Sequence, residues 1–136
     1  MTPAEMENLV EDHLRAEGNG DPAGAVANYT QDVEHDVVGF PGGPVRGIPA
    51  ALDFYRQLVT DFRTEGEKRL HTYYADDACV IENLMQGTVT GAMLGIPGNN
   101  RHIEFRVLHV FEFQDGKIAR ENVWLDGASI AAQLTA

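Results

Sequence analysis

Cysteine is almost absent from this chain of 136 residues, because Cys79 is the only one. A single thiol cannot form an intrachain disulfide, and it cannot supply a metal site made of cysteines alone. We therefore expect a protein that folds without covalent cross-links in a reducing compartment, the cytoplasm.

Basic side chains and long apolar runs are also scarce. Lys and Arg number 10 against 21 Asp and Glu, which gives a formal net charge of −11. This charge repels phosphate backbones and anionic lipids, so we expect no nucleic-acid and no membrane partner. Residues 1–5 are acidic and precede no apolar stretch of the kind found in signal peptides or membrane anchors. The expected partners are small neutral or apolar molecules, or another protein subunit.

The length suits one hydrophobic core, and we expect residues 1–136 to form a single domain. Helical spacing of apolar residues from Met6 to Leu14 predicts a first helix, Asp21 is a candidate cap of a short second one, and Pro49 lies in the first turn of a third. Residues 29–38 are predicted to form a strand. The glycines and prolines of residues 39–44 predict a loop instead of a regular element.

After Lys68 the pattern changes to the alternation typical of strands, which we place at residues 68–75, 79–90, 102–113 and 117–125. The Asp115-Gly116 dipeptide is a strong hairpin signal, and residues 127–134 form a final short helix after Asp126. The predicted class is α+β. We expect a cone-shaped α+β barrel, with a curved antiparallel sheet whose concave face carries the N-terminal helices and encloses a cavity.

One imidazole interrupts the apolar face of the strand at residues 102–113. Alternation places His109 on the same face as Phe105, Val107 and Phe111, so this face is a candidate pocket wall. Imidazole can act as acid, base or hydrogen-bond donor at cellular pH. The alternative is a buried histidine satisfied by one hydrogen bond.

Several short motifs of the second half occur in a characteristic order: residues 87–91 (GTVTG), 95–97 (GIP), 111–118 (FEFQDGKI), 124–126 (WLD) and 133–134 (QL). In this order the chain resembles the SnoaL-like polyketide cyclases and ester cyclases of the nuclear transport factor 2-like superfamily, and more distantly the ketosteroid isomerases. The resemblance covers nearly the whole chain. It implies the conical fold, whereas activity varies widely within this superfamily.

The resemblance also assigns site positions. In SnoaL-like cyclases a pocket histidine lies on the penultimate strand, where this chain has His109. The aspartate that serves as acid/base on the last strand is replaced by Val123, which cannot move a proton. Glu121 lies two residues earlier on the same face and is a candidate substitute, although a structural glutamate is an open alternative.

The isomerase resemblance points to three further residues. Its general base precedes a glycine after the first strand, and alignment on Gly39 brings Asp36 to that place with His35 beside it. His13 falls at the position of an oxyanion donor on the first helix. A solvated turn acid at Asp36 and a core histidine at His13 are the alternatives.

We therefore hypothesise a cofactor-free acid/base enzyme of the cyclase or isomerase type, acting on a hydrophobic, carbonyl-bearing, polyketide-like molecule. Asp36 would remove a proton next to the carbonyl, and His109 would stabilise the oxyanion. No metal is expected, because the histidines form no close pair. The predicted substrate-contacting residues are His13, His35, Phe40, Tyr55, Phe105, Val107, Phe111, Glu121 and Val123.

The alternative hypothesis is a non-catalytic module of the same fold that binds a small molecule or dimerises. Val123 favours it, because a valine replaces the usual proton donor. The opposite sheet face suits a subunit interface, and a homodimer through that face is expected under either hypothesis. This face carries Arg106, Leu108, Val110 and Trp124.

Overall fold

The computed structural model describes all 136 residues, and the observed elements follow the predicted order closely. They are α1 (Pro3–Gly18), α2 (Pro22–Ala25), β1 (Tyr29–Val38), β2 (Val45–Arg46), α3 (Ile48–Asp61), β3 (Phe62–Tyr74), β4 (Ala78–Val89), β5 (Ala92–Met93), β6 (Ile96–Pro97), β7 (Arg101–Gln114), β8 (Lys117–Leu125) and α4 (Gly127–Leu134). The caps explain several boundaries. Thr2 and Glu5 form a capping box at α1, and the side chains of Asp21 and Asp126 accept backbone hydrogen bonds at the starts of α2 and α4.

Six strands form the main sheet in the order β2-β1-β8-β7-β4-β3. The α+β class is confirmed, but the sheet is not entirely antiparallel, because β1 and β8 run parallel. Turn residues determine direction only for strands joined by a hairpin, and β1 and β8 lie at opposite ends of the chain. β3 also begins earlier than predicted, at Phe62, directly after α3.

The two faces of the sheet differ in burial. β7 alternates buried and more exposed side chains along its length, with Phe105, His109 and Phe111 on the buried face. Helices α1 and α3 cover this face, as predicted. On the opposite face Leu108 and Trp124 are exposed.

A cavity of about 50 Å³ lies between the buried face and the helices. It is walled by Leu14 of α1, by Phe54 and Leu58 of α3, and by apolar residues of the sheet. Phe40 and Met93 border both this cavity and a surface depression next to it. Phe40 lies in the loop of residues 39–44, and Met93 lies in β5, within a second glycine-rich loop at residues 91–98, so these two glycine-rich loops border the depression. No helix has the length and hydrophobicity needed to cross a membrane.

Candidate active site

Glu121 is the centre of a buried polar network beside the cavity. Its side chain extends inward from β8 and is 1% exposed. The carboxylate oxygen Oε1 accepts a short hydrogen bond from the Tyr29 hydroxyl and one of 2.9 Å from the Tyr55 hydroxyl. Nε2 of His13 lies 3.0 Å from the same oxygen. The carboxylate thus joins α1, α3, β1 and β8.

His13 forms an ion pair with Glu121. Its Nδ1 lies 2.7 Å from the Ala25 carbonyl oxygen, to which it donates, so Nε2 is directed at the carboxylate. Burial lowers the pKa of His13, but the charges of Glu121 and Glu17 and the hydrogen bonds outweigh burial and raise this pKa to about 9. Burial likewise raises the pKa of Glu121, yet the His13 charge and the donors around it hold that pKa well below its ordinary value.

This ion pair predicts how stability depends on pH. Because the pKa of His13 is about 9 in the folded protein and 6.5 in the unfolded chain, the folded state binds more protons between these values. The free energy of unfolding should therefore fall as pH rises from 6.5 to 9, by roughly 3 kcal/mol in all. Urea titrations across this range measure the effect. His13→Gln should flatten the slope, and an equal slope in that variant would contradict the assignment.

His109 borders the cavity next to Glu121. It pairs with Val123 across β7 and β8, and its ring stacks on Phe111 with centroids 5.5 Å apart. Nδ1 lies 3.4 Å from Oε2 of Glu121, but it is buried and its N–H is not aligned for a hydrogen bond. The ring borders the cavity, and Nε2 makes no hydrogen bond with the protein. The carboxylate therefore sits beside one ring nitrogen and leaves the other available to a ligand.

His35 completes the network from the other side. The parallel pairing of β1 with β8 places it next to Glu121, and its Nε2 lies 3.1 Å from the Tyr55 hydroxyl. Burial lowers the pKa of His35, so the ring is neutral near pH 7. It packs against Phe54 and lines the cavity.

The predicted pairing of Asp36 with His109 across the cavity was wrong. β1 continues to Val38, so alternation turns His35 inward and Asp36 outward. Oδ2 of Asp36 lies 3.2 Å from Nδ2 of Asn122 and 3.7 Å from Arg120, both on the outer face. The alignment on Gly39 fixed the position of Asp36 along the chain, but not the face to which its side chain points.

Most of the other predicted contact residues do border the cavity: His35, Phe40, Tyr55, Phe105, Val107, Glu121 and Val123. Two do not. His13 contacts Glu121 but does not reach the cavity. Phe111 belongs to the hydrophobic core and packs against His13, with the two ring centroids 5.7 Å apart. Both therefore support the cavity wall without forming it.

The sequence did not predict two acidic residues that line the cavity, Glu17 of α1 and Glu67 of β3. Oε2 of Glu17 lies 3.6 Å from Nε2 of His13, is buried and has no hydrogen-bond partner. Its position four residues after His13, one helical turn away on the same face, was the available signal. Glu67 precedes a basic pair in the sequence and resembles an ordinary surface residue.

His13, Glu17 and Glu121 place ligand-type atoms within 4.8 Å of one another, an arrangement that can hold a metal ion. A histidine ligand must be neutral, whereas the raised pKa of His13 keeps its proton at neutral pH. The ion pair already explains the proximity of these groups. The absence of a metal remains a prediction.

Similar solved structures share the whole fold. TsrD from Streptomyces laurentii is 21% identical with a TM-score of 0.83, covering 98% of this chain and 97% of that one. An LEH-like epoxide hydrolase from M. tuberculosis is 22% identical with a TM-score of 0.75, covering 97% and 90%. An NTF2-like protein of unknown function from Burkholderia pseudomallei K96243 is 19% identical with a TM-score of 0.79, covering both chains completely. At these identities the likeness establishes the fold alone.

Among proteins of curated function, a search found no match to this chain. The family model described as SnoaL-like polyketide cyclase matches residues 8–134, which is nearly the full length. The motifs of the second half and the α+β fold agree with that match. The chain therefore belongs to the SnoaL-like polyketide cyclase family.

Proposed function

We propose that the protein is an acid–base enzyme of the cyclase or isomerase type that acts on a hydrophobic, carbonyl-bearing small molecule. The observation that carries this proposal is the position of His109, which borders an apolar cavity and has the Glu121 carboxylate 3.4 Å from its Nδ1. Proton transfer by an imidazole next to a carbonyl needs no cofactor. The family supports a polyketide-like substrate by analogy.

His109 is a better proton acceptor than Glu121. Tyr29, Tyr55 and His13 already surround Oε1 of Glu121, and its pKa lies well below the ordinary value. Such a carboxylate is a weak base. It instead holds the His109 ring by attraction at Nδ1, so that Nε2 can take a proton from the ligand. Glu121 is accordingly a positioning residue.

The same cavity offers groups that stabilise an enolate. Tyr55 borders it, and its hydroxyl keeps its proton because burial and the Glu121 charge raise the pKa of Tyr55 well above its ordinary value. Without a ligand this proton is donated to Glu121, and in this proposal the hydroxyl turns it to the enolate oxygen when the ligand binds. His35 lies 3.1 Å from that hydroxyl. Hydrogen bonds from such groups are most effective in a dry, prearranged cavity, where they need not reorganise during the reaction.

The present cavity volume of about 50 Å³ holds only a few water molecules. Pockets for drug-sized ligands measure roughly 300–1,000 Å³. A polycyclic substrate therefore requires Phe40 and Met93 to move aside, together with the glycine-rich loops that carry them. Those loops act as lids in this proposal.

Solvent deuterium exchange tests the proposal without knowledge of the natural substrate. The protein is incubated in D₂O with a panel of polycyclic ketones, and deuterium incorporation next to the carbonyl is followed by NMR. We expect binding and enzyme-dependent exchange for at least one ketone. Ketones that bind without exchange would contradict the proposal.

Ketone binding without deuterium exchange would favour a binding or dimerisation module. Val123 supports this alternative, because it stands where related cyclases have their acid/base. The outer face supports it too: Trp124 is 51% exposed, and its indole N–H donates to Asn122. Leu108 pairs with Trp124 across the strands and is also exposed. A homodimer through this face remains a prediction under both functions.

A further inference from the structure

We propose that the ligand of the cavity carries a hydroxyl group, which donates a hydrogen bond to Nδ1 of His35 where the cavity passes under the loop of residues 39–44. This inference deepens the proposed function, on which it rests for the position of the ligand and of its carbonyl group. It adds a requirement for a hydrogen-bond donor that proton transfer at His109 does not imply.

The contacts of Tyr55 determine which nitrogen of His35 carries the proton. The Tyr55 hydroxyl donates its single proton to Oε1 of Glu121. Nε2 of His35 lies 3.1 Å from the same hydroxyl oxygen, so this nitrogen must be the donor of the contact. Burial lowers the pKa of His35, and the neutral ring has only one proton. Nδ1 of His35 therefore presents a lone pair.

Nδ1 of His35 is a buried acceptor that remains open to a ligand. The residue is 2% exposed, and its only side-chain hydrogen bond is made by Nε2. The buried polar side-chain atoms that lack both a partner and accessible surface are Oε2 of Glu17, Oγ1 of Thr30, both amide atoms of Asn83 and Nδ1 of His109. Nδ1 of His35 is not one of them, so it keeps accessible surface. Because the residue borders two cavities, that surface faces a space that a ligand can occupy.

The second of these cavities, of about 90 Å³, lies under the loop of residues 39–44 and adjoins the first. His35, Phe40 and Phe54 border both. All its other side chains are apolar or belong to glycine, so the His35 imidazole is the only polar side chain there. A hydroxyl group satisfies Nδ1 as an acceptor. The oxygen of an ether or of a second ketone would meet a lone pair and leave Nδ1 unsatisfied.

The order of the strands separates this position from His109. β8 lies between β1, which carries His35, and β7, which carries His109. Neighbouring strands are about 5 Å apart, so the two backbones are about 10 Å apart. His35 pairs with Glu121, and His109 pairs with Val123, two residues further along β8. One ligand can meet both rings only if its hydroxyl and carbonyl groups lie at opposite ends. The inferred ligand is a hydroxylated polycyclic ketone.

Calorimetric titration at pH 7 with three ketones of one framework tests the inference: 6-hydroxy-1-tetralone, 1-tetralone and 6-methoxy-1-tetralone. They share the carbonyl group and differ only at the other end of the molecule. We expect the hydroxy ketone to bind about fivefold more tightly than 1-tetralone, as for one neutral hydrogen bond. The methoxy ketone should bind no more tightly than 1-tetralone. Equal affinity for the hydroxy ketone and 1-tetralone would overturn the inference.

Variants locate the acceptor. His35→Leu should abolish the preference for the hydroxy ketone and leave the affinity for 1-tetralone nearly unchanged. His71→Leu makes the same substitution at a side chain that is 61% exposed and borders neither cavity, and it should keep the preference. His109→Gln should also keep the preference while it slows deuterium exchange. A preference that is lost in His109→Gln and kept in His35→Leu would place the hydroxyl at the other imidazole and overturn the inference.

Nitrogen NMR of the unsubstituted protein gives a readout that does not depend on the folding of a variant. The imidazole signals of His35 are identified by their proximity to the Phe54 ring, whose centroid lies 4.6 Å away. We expect a proton on Nε2 and none on Nδ1 at pH 7. Binding of 6-hydroxy-1-tetralone should shift the Nδ1 signal, and binding of 1-tetralone should not. A proton on Nδ1 in the ligand-free protein would overturn the inference.

The same ketones separate this inference from the proposed function, because deuterium exchange next to their carbonyl groups can be followed as well. Exchange without a hydroxyl preference defeats the hydroxyl site and leaves the proposed function intact. A hydroxyl preference without exchange contradicts the proposed function and supports the hydroxyl site. Failure of all three ketones to bind would overturn the hydroxyl site.

Discussion

Glu121→Gln is expected to lower the free energy of unfolding by about 3–5 kcal/mol, the range for breaking a buried ion pair from one side. The carboxylate is 1% exposed and faces the hydroxyls of Tyr29 and Tyr55 and the Nε2 of His13. Glutamine has nearly the same shape, but it carries no charge. Its amide nitrogen is a donor and would face the hydroxyls and the imidazolium, which are donors too. The His13 imidazolium then stays buried without its counterion.

A matched substitution on the outer face separates this effect from the general loss of a carboxylate. The Glu112 side chain is 47% exposed and lies 2.8 Å from Nη1 of Arg120. Exposed ion pairs contribute little, so Glu112→Gln should cost less than about 1 kcal/mol. Urea denaturation of both variants at pH 7 measures the difference. Equal losses of unfolding free energy in the two variants would contradict the claim that the Glu121 network stabilises the fold.

His109→Gln is expected to lower the rate of deuterium exchange into a bound ketone by ~10²-fold or more, the usual contribution of general acid–base catalysis. Glutamine fills much of the same space and can form hydrogen bonds, but it cannot transfer a proton. Ketone affinity should change little, because the apolar wall of Phe105, Val107 and Val123 stays intact. The decrease should therefore appear in kcat more than in KM.

Alternation within single strands predicted a large part of the site. The pattern of β7 placed His109 on the buried face. Its register opposite Val123 also depends on a β-bulge between Glu112 and Phe113, which the hairpin signal at Asp115-Gly116 does not predict. The same alternation placed Glu121 on that face. Its complete burial and its four-element network were not predictable, because they depend on Tyr29, Tyr55 and His13, which come from distant parts of the chain.

The site residues that the sequence did not predict are brought together by contacts between distant parts of the chain. The parallel contact of β1 with β8 brings His35 beside Glu121, and no local turn chemistry specifies that pairing. Glu17 and Glu67 border the same cavity only because α1 packs against β3. The case of Asp36 is different. Strand alternation already predicts that its side chain points to the face opposite that of His35, and only the resemblance to the isomerases favoured the cavity.

Deuterium exchange by His109→Gln and Asp36→Asn, measured side by side with circular dichroism as a check of folding, tests the central claim most directly. The claim is that His109 transfers the proton and that Asp36, on the outer face, takes no part. We predict a decrease of ~10²-fold or more for His109→Gln, and for Asp36→Asn a rate close to that of the unsubstituted protein. An unchanged rate in His109→Gln, or a loss in folded Asp36→Asn, would contradict the claim.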